Sequence, residues 1–129
     1  MTRPAHKPGL ISLLAPVAAN AFYEISGLPE RWETIPEYKR ATFRRVASEA
    51  VSIAKVSNRL GVDARTQVAV AVAGAFLDPR DCPAWLIRRY GWSQGTEREA
   101  SRPIWLFMAD AIIAEGRRLR AQQDQRRAA

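Results

Sequence analysis

One cysteine, Cys82, and one histidine, His6, are all the chain offers of the residues that most often build disulfides and soft metal sites. No intramolecular disulfide can form, and no Cys/His metal cluster can be assembled. Cys82 lies between Asp81 and Pro83 in an expected turn, with no histidine of the folded region to activate it. It reads as a structural thiol. A Ser-His-Asp triad fails because His6 belongs to an N-terminal arm. The segments GLPERW and GWSQGT lack both the spacing and the lysine of a phosphate-binding loop. Glu30, Glu33 and Glu37 are neighbours in sequence, but turns and helix caps account for them. No catalytic residue, metal or cofactor is therefore expected, and the chain reads as a non-enzyme.

Long apolar runs are also missing. No stretch approaches the ~20 residues a membrane span needs. Arg3, His6 and Lys7 followed by LISLLAPVAANA have the outline of a secretory signal, with Ala19-Asn20-Ala21 at the cleavage position. The apolar spacing continues through Phe22 and Ile25, as a helix would, so cytoplasmic residence is the expectation.

The 129 residues, 47% hydrophobic and 26% charged, suit one soluble globular domain with one core. Lysine is scarce: 17 of the 20 cations are arginine, and the net charge is +7. Arginine favours bidentate contacts to phosphate or carboxylate. An acidic partner follows: nucleic acid, a nucleoprotein complex or an acidic host protein.

Residues 34–61 organise the chain. Thr34 and Glu37 have the spacing of a capping box, Pro36 suits a first turn, and Gly61 suits a left-handed stop. Between them Phe43, Val46, Ala50, Ile53, Ser57 and Leu60 form an apolar stripe. Arg40, Arg44, Arg45, Lys55 and Arg59 fall within an arc of about 140° on the other face. The spacing predicts a long helix with a buried stripe and a cationic back.

Around that helix the expectations are an extended arm over residues 1–9, a helical domain over 10–120 and a basic tail over 121–129. Helix one covers 10–26, stops at Gly27 and contains Pro16. Asp63 caps a third helix with the body QVAVAVAGAFL, apolar all round and therefore expected at the centre of the bundle. Ala69, Ala73 and Gly74 are expected to let its neighbours approach closely. The 78–83 connection, with two prolines, is longer than the turn of a helix-turn-helix. A short helix over 83–90 follows, and Thr96 with Glu99 has the form of a second capping box. The last helix begins at Ser101-Arg102-Pro103 and is weakened at Gly116. The fold class is all-α, a compact bundle of about five helices.

Tyr23-Glu24, Trp32-Glu33-Thr34-Ile35-Pro36, Arg40, Phe43 and Ala47 resemble a pattern in small phage and prophage accessory proteins. There a helix with a Tyr-Glu pair precedes Trp-x-x-Leu/Ile-Pro and a second helix. The resemblance covers about residues 18–50. It implies a mobile-element setting and brings no catalytic residues with it.

Three groups are candidate contacts. The cationic face Arg40, Arg44, Arg45, Lys55 and Arg59 can follow a phosphate backbone. Arg88, Arg89, Tyr90 and Trp92 combine cations with aromatics, which suits stacking on bases or gripping a protein. Arg117, Arg118 and Arg120 open a basic terminal run that continues with Arg126 and Arg127. The expectation is a non-catalytic helical binding protein that contacts nucleic acid or a nucleoprotein complex. The alternative is a phage-encoded inhibitor of a host defence complex, of anti-CRISPR type, or an adaptor.

Overall fold

Glycines and an aspartate punctuate the chain where the sequence predicts. In the computed structural model, residues 9–80, 82–90 and 102–128 are described, with only the backbone of Leu86 and Arg89. They form α1 (Leu10–Ile25), a 3-10 turn (Trp32–Thr34), α2 (Glu37–Leu60), α3 (Ala64–Phe76), α4 (Ala84–Tyr90) and α5 (Arg102–Ala128). Gly27 and Gly61 both take φ of 69°, which only glycine adopts without strain. Beside them the Leu28 N–H donates to the Tyr23 carbonyl at 2.9 Å, and that of Val62 to Ser57 at 3.1 Å. Both helices thus end in the six-to-one closure of a Schellman motif. The Asp63 carboxylate caps α3 by accepting from the Arg65 N–H at 3.1 Å and the Thr66 hydroxyl at 3.2 Å.

The start of α2 differs from the expectation. Thr34 does not cap it. Its hydroxyl accepts the Arg31 N–H at 3.0 Å and donates to the Arg31 carbonyl at 3.0 Å, closing the 3-10 turn. Glu37 turns to Arg44 instead of back to Thr34. The cause is Pro36, which drives Ile35 to an extended ψ of 151° and sets the helix start after itself.

Phe22, Phe43, Phe76 and Trp105 come from α1, α2, α3 and α5 and meet at one level. Phe22–Phe76 centroids are 4.7 Å apart, Phe43–Phe76 5.7 Å and Phe76–Trp105 5.4 Å. From that level α2 and α5 run away, while α1 and α3 run towards it. The result is an up-down-up-down bundle in which neighbours pair in the order α1, α2, α3, α5 and back to α1. Leu14, Phe43, Val46, Val68, Val72, Trp105 and Met108 are fully buried. Ala15, Ala18, Ala47, Ala69, Ala73 and Ala109 fill the spaces between them, so the backbones lie close.

Two expectations about this core need correction. The bundle has four helices, not five, because α4 is a seven-residue segment beside it. The indole N–H of Trp105 donates to the Tyr90 carbonyl at 2.8 Å and ties α4 down. Nor is α3 central. Val68, Ala69, Val72, Ala73 and Ala75 are buried, but Val70 is 41% exposed and Gly74 faces outward. Its outer face is Gln67, Val70, Ala71 and Gly74, so leaving it uncovered exposes little apolar area. A Cβ at Gly74 would meet nothing within 4 Å, so this glycine mediates no close approach.

Ala19 and Ala21, at the signal-like position, are buried in the core, and the Asn20 side-chain oxygen accepts the Trp32 N–H at 2.9 Å. Among the described residues no helix is long and apolar enough to cross a membrane.

The helices differ in reach. From the ring of Trp105, α5 runs on to Ala128, about twice as far as α3 runs back from Phe76 to Ala64. From residue 120 to residue 128 every side chain of α5 is exposed. Residues 121–128 of the expected tail are therefore helix that stands clear of the bundle.

Candidate nucleic-acid interface

The five cations of α2 divide sharply. Arg40 donates from Nε to the Trp32 carbonyl at 3.0 Å and from Nη2 to the Glu33 carbonyl at 3.2 Å. Its guanidinium also lies 5.2 Å from the centre of the Trp32 ring. Arg44 lies 5.6 Å from that ring and pairs with Glu37 through both guanidinium nitrogens. That hydrogen bond holds the Glu37 carboxyl below its ordinary range. Arg45 crosses to α3, where its Nε donates to the Ala75 carbonyl at 2.9 Å and sits 3.8 Å from Asp78. Arg80 also grips Asp78, with Nη2 at 2.7 Å and its backbone N–H at 2.9 Å. Asp78 is held well below the usual carboxylate range by the Arg80 hydrogen bonds first and by the charge of Arg45 last.

Lys55 and Arg59 are different: both are exposed, and neither has a hydrogen bond or ion pair among the described residues. Position on the wheel and along the helix together explain the split. Arg40 and Arg45 mark the two edges of the cationic arc, where a long side chain reaches a neighbouring element, and Arg44, in the middle of the arc but in the first half of the helix, reaches Trp32 and Glu37. Lys55 and Arg59 lie inside the arc in the second half of the helix, where none of the described groups meets them. The arc holds three residues of the fold's own bonding network and two that face solvent.

On α4, Arg88 is exposed and Tyr90 is 38% exposed. Trp85 was not among the expected contacts, yet it is the more open aromatic at 57%. The Arg89 side chain and the whole of Trp92 lie outside the described residues, as do Thr96, Glu99 and residues 1–8.

Along α5, Arg118 pairs with Glu115 on the same helix, and Arg65 of α3 forms a bidentate pair with Asp110 at 2.7 and 3.1 Å. Hydrogen bonding to Arg118 holds the Glu115 carboxyl below its usual range. Arg117, Arg120, Arg126 and Arg127 are exposed and have no partner of either kind among the described residues. The helix dipole favours Arg126 and Arg127 in the last turn. It does not account for Arg117 and Arg120, which lie well before it.

Lys55, Arg59, Arg117, Arg120, Arg126 and Arg127 lie towards one end of the molecule. Helices α2 and α5 run away from the aromatic level in the same sense, so Lys55 and Arg59 lie at the end from which α5 projects. At that end Asp63 is engaged as a cap and Glu115 in an ion pair. The projecting segment carries one acid, Asp124. The sequence could single out Arg117 and Arg120 as basic, but not that the helix carrying them leaves the bundle.

A shallow groove of about 420 Å³ between α2 and α3 is lined by Arg45, Gly74, Asp78 and Arg80 among others. Of its charges, Arg45 and Arg80 both pair with Asp78, while Glu49 on its rim pairs with neither. Among the described residues no three His, Cys, Asp or Glu side chains come together in a way that could hold a metal. The resembling residues turn out to be structural in position: Tyr23, Ile35, Phe43 and Ala47 are buried, and Trp32 sits beneath Arg40 and Arg44. Set against protein-family models, curated proteins and solved structures, the chain matches none of them.

Proposed function

We propose that this is a non-catalytic helical binding protein of a phage or other mobile element, acting in the cytoplasm on nucleic acid or a nucleoprotein complex. The contact surface is the end of the bundle that carries the projecting last third of α5. The observation that supports this reading is the set of arginines there, Arg117, Arg120, Arg126 and Arg127, exposed and unengaged by the fold's own carboxylates. Lys55 and Arg59 flank them. Phosphates satisfy such groups without a specific pocket, and each contact releases counterions. With about four phosphates neutralised, affinity for a duplex falls with a log–log salt slope near −3.6. Raising salt from about 50 to about 200 mM then weakens binding roughly 150-fold. A gel-shift titration measures this. Absence of DNA or RNA binding at about 50 mM salt overturns the proposal.

A second reading draws on α4. Trp85, 57% exposed, shares a short helix with Arg88 and Tyr90, the combination found at protein–protein hot spots. On this reading the chain is a protein-binding inhibitor of a host defence complex, of anti-CRISPR type, or an adaptor. A partner retained in a pull-down after nuclease treatment favours it; a partner lost with the nucleic acid favours the first.

A further inference from the structure

Resting on the nucleic-acid reading above, we infer that the projecting end of α5 is a major-groove helix for duplex DNA, with a phosphate face and a base-reading face. Residues 120–128 are helical and exposed on every side. Nine residues at 1.5 Å rise make a rod of about 13 Å, the length of roughly four base pairs. An α-helix with side chains is about 10–12 Å across, and the major groove of B-form DNA is about 12 Å wide.

The composition of the rod narrows the partner. It contains no aromatic residue. Single strands are gripped by stacking bases on aromatic rings, so an Arg/Gln helix is poorly made for them. Duplex RNA is excluded by shape, since its major groove is too deep and narrow for side chains to read. What the rod does carry is Gln122, Gln123 and Gln125 beside Arg126. Glutamine pairs with the adenine edge and arginine with the guanine edge in the major groove.

The residues also sort by angle. At 100° per residue, Arg117, Arg120 and Arg127 fall within an arc of about 80°. Gln125, Gln122, Arg126 and Gln123 occupy an arc of about 160° on the other side. One face suits the phosphates of a groove wall, and the other turns its amides towards the base edges. Asp124 lies within the arginine face, where it opposes the phosphates. It is the element a tighter binder would lack.

The test is a set of fluorescence-anisotropy titrations of the full chain against duplex DNA, single-stranded DNA and duplex RNA of equal length, compared at the same salt concentration and repeated over a salt series for duplex DNA. Duplex DNA is expected to bind at least about tenfold tighter than either competitor. Selection from a random duplex pool gives the preference, and three variants divide the faces. R120A/R127A lowers the salt slope by about 2 with the preference kept. Q122A/Q125A flattens the preference with the slope kept. D124N tightens binding to all sequences and leaves the preference alone. Equal binding of single-stranded DNA or duplex RNA overturns the groove inference while the nucleic-acid reading stands. So does an unchanged preference in Q122A/Q125A. Failure of all three ligands to bind overturns the reading itself. The variants sit on exposed helix, and circular dichroism showing unaltered folding accompanies each titration.

Discussion

The first half of α2 and the last third of α5 are both arginine-dense, and the fold treats them in opposite ways. On α2, Arg40, Arg44 and Arg45 are drawn onto the Trp32 and Glu33 carbonyls, the Trp32 ring, Glu37, and the Ala75 carbonyl with Asp78. On α5, Arg117, Arg120, Arg126 and Arg127 meet none of the described residues in this way. The difference lies in surroundings rather than composition. The start of α2 runs past a bent connection and the end of α3, both of which offer carbonyls that no helix uses. The end of α5 runs past none of the other described elements. An arginine next to orphan carbonyls becomes part of the fold, and one on a projecting rod stays available.

That contrast can be broken by substitution. The largest effect is expected from neutralising Arg117, Arg120, Arg126 and Arg127 together: duplex affinity at low salt drops by about 100-fold or more while the melting temperature holds. Calorimetry and anisotropy on the same sample check both halves. Arg45→Ala is expected to do the reverse. It strands the Ala75 carbonyl and loosens Asp78, costing about 2 kcal/mol in urea unfolding, with little change in binding by the folded protein. Arg40→Ala removes two carbonyl contacts and one ring contact at a more exposed site and costs about 1 kcal/mol.

Gains come next. A Cβ at Gly74 or Gly116 meets nothing within 4 Å, and both lie inside helices. Each Gly→Ala change is expected to add about 0.5–1 kcal/mol. Gly116→Ala, just before the projecting segment, also stiffens the rod and tightens binding slightly.

Acid has the smallest effect. Glu37, Asp78 and Glu115 titrate below their ordinary range, so their contribution is complete above about pH 5 and is lost as pH falls through the depressed values. Asp78→Asn makes the fall in stability below about pH 4 shallower, as read by acid titration of the helical signal.

Much of this architecture is legible in the residues themselves. Gly27, Gly61 and Asp63 announce the helix ends because their backbone and side-chain chemistry acts within a few residues. The apolar stripe of α2 is legible for the same reason: Phe43, Val46 and Ala50 repeat at helical spacing. Thr34 misleads because Pro36 outweighs a favourable cap. The centrality of α3 misleads because a run of alanine and valine reads as buried although small residues tolerate exposure. The fate of each arginine is illegible for a deeper reason. Whether Arg45 binds DNA or the Ala75 carbonyl depends on a contact 30 residues away in sequence, which helical periodicity does not encode. The freedom of Arg120 depends likewise on where α1 and α3 begin.

The most direct test is a backbone amide NMR titration of the intact chain with a short DNA duplex. The account predicts chemical-shift changes and broadening concentrated at residues 117–128, with smaller changes near Lys55 and Arg59 and none around Arg40, Arg44 and Arg45. Changes centred on the first half of α2, with the end of α5 unmoved, would contradict it.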